Sequence, residues 1–217
     1  MLLHGLSAGL IAWASNIEPL AQKFTVYALD IPGRGDSDKP NMDYRIPAGA
    51  RFIREFMDVL GIKSASLAGC SMGGMVALRT ARDYPDRVEK LVLVDAAGLG
   101  KELSWYVRLA SLPLVGEVMQ NPSLRGTRAS LKNIFYNYSL IQESFLEEIH
   151  RTRKLPEAKQ AVLKMIRGAV GLRGVQKQWI MTEHLKGLGI PVLVVWGTQN
   201  KIIPVQHAYN AAREAPG

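Results

Sequence analysis

The sequence predicts an α/β domain in which a mostly parallel sheet is flanked by helices. Strand-like apolar runs alternate with helix-like segments over much of the chain. These runs are continuously apolar, which is typical of parallel strands covered by helices on both faces. The 217 residues are 47% hydrophobic and 21% charged, and this composition fits one globular domain with a sizeable core.

The predicted elements follow one another as a parallel sheet requires. Strands are expected at 1–3, 24–29, 65–68, 91–94 and 192–196. Helices are expected at 13–22, 47–60, 72–83, 176–186 and 204–213. Within 47–60 the apolar residues recur at helical spacing, and Gly61 follows as a helix-ending glycine does.

The strand-like apolar runs do not continue through residues 99–175. Prolines and glycines divide this segment into several expected helices: Pro113, Gly116, Pro122, Pro156 and Gly168. We therefore expect an α/β core made of residues 1–98 and 176–217. Residues 99–175 are expected to form a helical cap insertion that lies on the sheet and is not an independent domain.

The positive charge is concentrated in one region. Residues 100–186 hold 14 Lys and Arg against 7 Asp and Glu, so +7 of the net charge of +8 lies there. A solvated helical surface explains this excess, and a cap that attracts anionic substrates is the sharper alternative. The basic residues are spread out and match no recognition motif, so no nucleic-acid partner is expected.

Cysteine content and hydropathy favour a cytoplasmic protein. The single Cys70 can form no internal disulfide, which is usual in a reducing compartment. The N-terminal stretch lacks a positive region, and His4, Gly5 and Gly9 interrupt its apolar run, so no secretory signal is expected. No apolar stretch has the length of a membrane-spanning helix, and no membrane partner is expected. The oligomeric state stays open.

The segment Gly69-Cys70-Ser71-Met72-Gly73 matches G-x-S-x-G between a predicted strand and a predicted helix. Small residues two positions before and after the serine let the strand and helix approach closely, and the sharp turn lifts Oγ to the sheet edge. The Met72 N–H, at a helix N-terminus, would point at a developing oxyanion. Ser71 is therefore the predicted nucleophile and the Met72 amide a predicted oxyanion donor. A glycine-rich turn with an incidental serine is the alternative.

Two further motifs give the chain a family resemblance. The segments HGLSAGLIAW at 4–13 and DIPGRGDSD at 30–38 resemble the His-Gly loop and the D-x-P-G-x-G-x-S-D loop of the α/β-hydrolase family. The strands at 91–95 and 191–196 are also similar, and together the matches cover most of 1–98 and 186–213. The resemblance implies that the Leu6 N–H is the second oxyanion donor and that His4 is structural. It implies no metal and no cofactor.

The acid of a catalytic triad is ambiguous. A base needs a carboxylate to fix its tautomer, and the family pattern G-x-x-D-x-x-x-P places an Asp where this chain has Asn200. An Asn oxygen accepts a hydrogen bond but carries no charge. Asp95, at the end of the strand after the nucleophile helix, is the other candidate, because some family members place their acid there. Asp95 as the acid and Asp95 as a structural residue both stay open.

The base is missing from its expected position. The resemblance implies a His after one further strand, about 25–30 residues beyond the acid. This chain stops at Gly217, His207 is too close to Asn200, His184 precedes the last strand, and His150 is in the cap. The resemblance also implies two strands before the strand that leads into the His-Gly loop, and this chain opens three residues before His4. We therefore expect a fragment of a longer hydrolase, truncated at both ends, with exposed apolar strand edges and poor solubility.

The predicted function is hydrolysis of a small-molecule carboxylic ester by Ser71. The alternative substrate is a carbon–carbon bond, as in meta-cleavage-product hydrolases, but Cys70 stands where those enzymes often have Asn. A second class of function is a catalytically incomplete relic that binds a small apolar ligand between cap and sheet. A basic interaction module acting through the cap is the third and weakest alternative, and it would show steeply salt-dependent binding.

Overall fold

Five parallel strands form the central sheet. The computed structural model describes residues 1–215. The sheet has the order β2-β1-β3-β4-β7, and β5 and β6 form a separate antiparallel hairpin. In chain order the strands are β1 (Leu2–Leu3), β2 (Ala28–Leu29), β3 (Ala65–Cys70), β4 (Val88–Val94), β5 (Val170–Gly171), β6 (Gly174–Val175) and β7 (Val192–Val195). The predicted α/β class with a parallel sheet is confirmed.

Nine α-helices lie in the described part of the chain. Four accompany the sheet strands: α1 (Ala14–Ala21), α2 (Ile46–Val59), α3 (Met72–Asp83) and α9 (Gln206–Glu214). Five lie between β4 and β7: α4 (Trp105–Leu109), α5 (Val115–Met119), α6 (Leu124–Ile134), α7 (Glu143–Arg153) and α8 (Ala158–Ala169). No helix within residues 1–215 combines the length and apolarity needed to cross a membrane.

The core is built where β3 and β4 meet α3. Leu67 of β3 is in register with Leu91 of β4, and both side chains are buried together with Leu78 of α3. α3 packs against both strands and against α2, which contributes the buried Ile53. Apolar residues at helical spacing thus meet apolar strands, as the sequence pattern predicts.

The strand register sets the position of the candidate site. Leu3 pairs with Gly69, Cys70 pairs with Val94, and Val94 pairs with Val195. All these strands run in the same direction, so their carboxyl ends lie at one edge of the sheet. The residues that follow β1, β3, β4 and β7 are therefore neighbours.

Two predicted elements differ from the structure. Only Ala28–Leu29 of the predicted strand 24–29 pairs in the sheet, and Phe24 is 65% exposed. The predicted α-helix 176–186 is instead two short 3₁₀-helices, Lys177–Trp179 and Thr182–Gly187. Between them the Met181 amide donates to the Gly98 carbonyl (2.8 Å), so the backbone bonds to the loop after β4 and not along a helix.

The segment between β4 and β7 contacts the strand-end loops of the sheet. Leu131, Leu146 and Ile149 form a buried cluster that also packs on Ala8 and Ile11. The β5–β6 hairpin was not predicted, because each of its strands is only two residues long. The division into a core and a cap stays a prediction, and residues 216–217 of the predicted core lie outside the described residues.

β7 is an edge strand of the sheet. Among the described residues it pairs with β4 alone. Leu193 is 57% exposed and Val195 is 46% exposed, so one face of β7 presents apolar side chains to solvent.

Candidate active site

Ser71 occupies a strained turn between β3 and α3. Its backbone angles are φ 53° and ψ −115°, in a region that non-glycine residues rarely adopt. The Ser71 amide donates to the Val94 carbonyl (3.0 Å), and its carbonyl accepts from Ala97 (3.0 Å) and Met75 (3.2 Å). The loop after β4 and the first turn of α3 therefore hold the serine in this conformation.

Glycines make this turn possible. A Cβ on Gly69 would overlap the carbonyl oxygen of Gly73, and a Cβ on Gly73 would overlap the carbonyl oxygen of Leu3. A Cβ on Gly74 would lie 2.5 Å from the Cβ of Ala96. Strand, helix and the end of β1 thus approach as closely as the G-x-S-x-G pattern predicts.

The His-Gly loop lies directly beside the serine. A Cβ on Gly5 would lie 3.2 Å from Ser71 Cβ and 3.7 Å from Ser71 Oγ. Within residues 1–215, the amides of Leu6 and Met72 donate to no protein acceptor. Two N–H groups without a protein acceptor therefore adjoin the predicted nucleophile, and such groups are what an oxyanion hole needs.

His4 holds this loop and is not available as a base. The residue is fully buried, its Nδ1 lies 2.8 Å from the Gly5 carbonyl oxygen, and its Nε2 accepts from the Ile31 amide (3.0 Å). A neutral imidazole with its proton on Nδ1 satisfies both contacts, because Nδ1 then donates to Gly5 while Nε2 accepts from Ile31. Burial lowers the pKa of His4 to about 4, so the ring stays neutral near pH 7. This agrees with the structural role that the resemblance implies.

Asp30 joins the His-Gly loop to the 30–38 loop. Its Oδ1 accepts from the Leu10 amide (2.7 Å), and its Oδ2 accepts from the Asp36 amide (3.0 Å). Its backbone carbonyl accepts from the Ser37 hydroxyl (2.6 Å). The first residue of the D-x-P-G-x-G-x-S-D motif therefore orders two loops and has no free carboxylate oxygen.

Asp95 lies at the strand edge next to the serine turn. Its φ is 45°, and its amide donates to the Val195 carbonyl (2.9 Å). Its Oδ1 accepts from the Gly197 amide (3.0 Å), whereas Oδ2 has no hydrogen-bond partner in the described chain. The carboxylate is half-buried and keeps one oxygen free to orient a base.

Asn200 has a local structural task. Its Oδ1 accepts from the amides of Ile202 (2.8 Å) and Ile203 (2.9 Å), which closes the turn after β7. Two donors occupy the two lone pairs of this oxygen. Only the NH₂ group of the side chain is left to contact a base. An NH₂ group donates a hydrogen bond, whereas the acid of a triad must accept one from the imidazole N–H.

None of the four histidines hydrogen-bonds to Ser71 Oγ in the described structure. His207 is fully buried, its Nε2 lies 3.0 Å from Glu102 Oε2, and burial lowers its pKa. His150 on α7 and His184 in the second 3₁₀-helix each bury an Nδ1 without a partner. Within residues 1–215, Ser71 and Asp95 thus lie at the same edge of the sheet, and no histidine is hydrogen-bonded to Ser71.

The neighbouring thiol does not compete with Ser71. Burial and the negative charge of Asp95 raise the pKa of Cys70 to about 11, so it stays protonated near pH 7. Among residues 1–215, no group of three or more His, Cys, Asp or Glu side chains is arranged to hold a metal ion. The crevice between Met72, Met165 and Phe52 has a volume of about 20 Å³, enough for one water.

The whole chain matches one family. The sequence model of the alpha/beta hydrolase fold aligns with residues 1–217. The chain belongs to the alpha/beta hydrolase fold family. The predicted resemblance is therefore confirmed.

Relatives of this alpha/beta hydrolase differ in how much is known of them. It is 32% identical to an uncharacterised protein of Mycobacterium tuberculosis over 100% of this chain and 66% of that protein. It is 28% identical to the 2-hydroxy-6-oxononadienedioate/2-hydroxy-6-oxononatrienedioate hydrolase of Comamonas testosteroni, over 100% of this chain and 76% of that enzyme. The chain thus spans just under two thirds of the length of the mycobacterial relative.

A solved structure shows the same fold. The meta-cleavage product hydrolase of Pseudomonas fluorescens superimposes with a TM-score of 0.80 and 24% identity, over 98% of this chain and 76% of that one. At this identity the likeness supports the fold of an alpha/beta hydrolase and nothing finer.

Some residues of the site were not found from the sequence. Gly197 donates the amide that holds Asp95, and only its place at the end of β7 could have suggested this. Arg34 is buried under the His-Gly loop although it lies between two loop glycines, a pattern that carries no signal of burial.

Proposed function

We propose that this alpha/beta hydrolase is a serine hydrolase that uses Ser71 to attack the carbonyl of a small carboxylic ester. The observation that carries the proposal is the strained turn of Ser71 between β3 and α3, with Gly5 and two unpaired amides beside it. A strained serine fixed by surrounding packing is typical of a nucleophile elbow.

Each neighbouring group has a proposed role. The Leu6 and Met72 amides stabilise the oxyanion as the carbonyl becomes tetrahedral. The free Oδ2 of Asp95 orients the imidazole that removes the serine proton, and Asn200 does not take this part because its oxygen is occupied. Residues 99–175 act as a cap over the site, which excludes water once a substrate is bound.

The substrate is proposed to be an ester and not a carbon–carbon bond. The Comamonas relative hydrolyses the compounds in its name, and this makes the carbon–carbon reaction the alternative. The ester is favoured because Cys70 precedes the serine, at a position where meta-cleavage-product hydrolases often have Asn. We further propose a cytoplasmic protein with a small-molecule substrate and no nucleic-acid or membrane partner, in line with the single cysteine and the dispersed basic residues.

A fluorophosphonate probe tests the nucleophile. The chain, Ser71→Ala and the control Ser15→Ala would be incubated with the probe and their intact masses measured. Ser15 is an exposed serine on α1, so its removal leaves the site intact. We expect one adduct on the chain and on Ser15→Ala, and none on Ser71→Ala. An adduct on Ser71→Ala would place the reaction elsewhere and reject the proposal.

A catalytically incomplete hydrolase that binds a small ligand is the second candidate. The observation that favours it is the absence of a histidine at Ser71 Oγ in residues 1–215, together with Asn200 at the family's acid position. No adduct on folded protein would reject an activated Ser71 and support this candidate. An adduct would require a base, and His150→Ala, His184→Ala and His207→Ala would then identify which histidine supplies it.

A further inference from the structure

The peptide between Gly5 and Leu6 carries one of the two proposed oxyanion donors. This unit is planar and trans, so the Gly5 carbonyl and the Leu6 N–H point in opposite directions. The Gly5 oxygen lies 2.8 Å from His4 Nδ1 and accepts a long bond of 3.5 Å from the Ala8 amide. Anchors at the carbonyl end alone leave the plane free to turn, since Gly5 has no side chain to restrict its rotation. The direction of the Leu6 N–H therefore depends on what holds the Leu6 end.

No backbone hydrogen bond holds the Leu6 end. In the part of the chain that the structure describes, neither the N–H nor the C=O of Leu6 pairs with another protein group. The Met72 amide differs, because it belongs to the first turn of α3 and shares its peptide with the Ser71 carbonyl. That carbonyl accepts from Ala97 (3.0 Å) and Met75 (3.2 Å). The peptide of one donor is thus fixed by backbone bonds, whereas Leu6 can be fixed only by its side chain.

The Leu6 side chain packs on a small cluster outside the sheet. Ala110, Val162 and Ile166 form this cluster, called here the α8 cluster, and each is at most 5% exposed. Val162 and Ile166 are four residues apart on α8 and therefore share one face of the helix. Among the described residues, Leu6 packs against the α8 cluster and not against the core of the sheet. Side chains more than 100 residues away in sequence thus hold the residue that follows Gly5.

The rest of the same loop is held in the same way. Ala8 and Ile11 pack on the buried cluster of α6 and α7. The apolar side chains of the His-Gly loop therefore face the helices between β4 and β7, whereas His4 ties the beginning of the loop to the sheet through the Ile31 amide. A shift of these helices would move Leu6 and leave His4 in place.

We propose that Val162 and Ile166 are positioning residues of the oxyanion hole, because they hold the Leu6 side chain and thereby aim the Leu6 amide at the substrate oxygen. The inference rests on the proposed function of Ser71 and adds the side chains that set one of its two donors. Val162 and Ile166 act through Leu6 and touch no reacting atom.

Labelling of Ser71 by a fluorophosphonate, followed over time at several probe concentrations, tests this role. Ile166→Ala removes most of the packing surface under Leu6. The maximal labelling rate should fall on the order of tenfold, which is part of the 10²–10³ that loss of a whole oxyanion donor costs. The probe concentration that gives half the maximal rate should stay within about twofold, because the lost contact acts mainly in the transition state. Ile166→Leu conserves the volume and should keep the rate within about threefold of the parent.

Leu163→Ala is the matched control. Leu163 is the neighbour of Val162 on α8 and is 1% exposed, but it packs towards α5, where a Cβ on Gly116 would lie 2.9 Å from Leu163 Cδ2. Both deletions leave a cavity in the same helix and should lower stability to a similar degree. With both variants folded at the assay temperature, Leu163→Ala should label within about twofold of the parent. An equal loss of labelling in Leu163→Ala would mean that general loosening of α8 is the cause, and it would overturn the proposal.

Nuclear magnetic relaxation of the ¹⁵N-labelled Leu6 amide tests the positioning without any reaction at Ser71. The order parameter should be about 0.85 in the parent and in Leu163→Ala, and below about 0.6 in Ile166→Ala. An order parameter and an amide chemical shift that both stay as in the parent would overturn the proposal, whatever the labelling shows. If the probe labels no variant while the Leu6 amide becomes mobile as expected, the reaction of Ser71 is rejected and the anchoring of Leu6 is supported.

Discussion

The serine turn and the contact between the 30–38 loop and α7 are built in opposite ways. Around Ser71, glycines pack against backbone, and the polar groups of His4 and Asp30 have protein partners. The contact between the 30–38 loop and α7 depends instead on the exposed ion pair between Arg151 and Asp36 (2.6 Å). Water and salt weaken an exposed ion pair, whereas they do not reach buried packing. Stability should therefore depend on the first region far more than on the second.

The largest loss of stability is expected from Gly73→Ala. The new methyl group would overlap the carbonyl oxygen of Leu3, which is backbone and cannot move without shifting β1. We expect the free energy of unfolding to fall by about 4 kcal/mol or more, measured by chemical denaturation. Gly187→Ala is the control, because nothing lies within 4 Å of a Cβ at that position. Equal stabilities of the two variants would contradict the close packing of the serine turn.

A smaller loss is expected on acidification because of His4. The pKa of His4 is about 4 in the folded protein against 6.5 for a free histidine, so the unfolded chain takes up this proton first. Stability should be full above about pH 6.5 and fall by about 3 kcal/mol as the pH drops to 4. The lowered pKa of His207 acts in the same direction.

His4→Gln isolates this contribution. Denaturation curves across the pH range should show a less stable protein at pH 7 with a flatter dependence on pH, because Gln does not titrate. An unchanged slope would mean that other groups cause the acid sensitivity.

The smallest change is expected at Asn200. Asn200→Ala removes the acceptor of two amides, and a loss of about 1–2 kcal/mol should appear in the free energy of unfolding. Asn200→Asp keeps the acceptor and should preserve stability. If instead Asn200→Asp speeds up probe labelling of Ser71, the acid role would belong to position 200 and not to Asp95.

The sequence predicts the serine region better than the contact between the 30–38 loop and α7, and the reason is distance along the chain. The spacing Gly69-Ser71-Gly73 is local, and its packing follows from the turn itself. The proximity of Ser71 and Asp95 follows from parallel strands that end at one edge. By contrast, Asp36 and Arg151 come together through a tertiary contact between the 30–38 loop and α7, and no pattern in either segment encodes it.

Short strands and contacts with distant residues explain where the predicted secondary structure was wrong. The β5–β6 hairpin has strands too short to show an alternating pattern. The segment 176–186 has apolar residues at helical spacing, but the Trp179 indole donates to the Gly168 carbonyl (2.7 Å) and Met181 bonds to Gly98. These contacts with distant residues override the helical preference.

The open edge of β7 has a consequence for handling the protein. Within residues 1–215 the outer side of β7 pairs with no other strand, and together with the exposed Leu193 and Val195 it forms a template onto which another extended chain can add. Addition to an edge needs two molecules to meet, so its rate rises with concentration. Aggregation of the described chain should therefore become faster as its concentration rises.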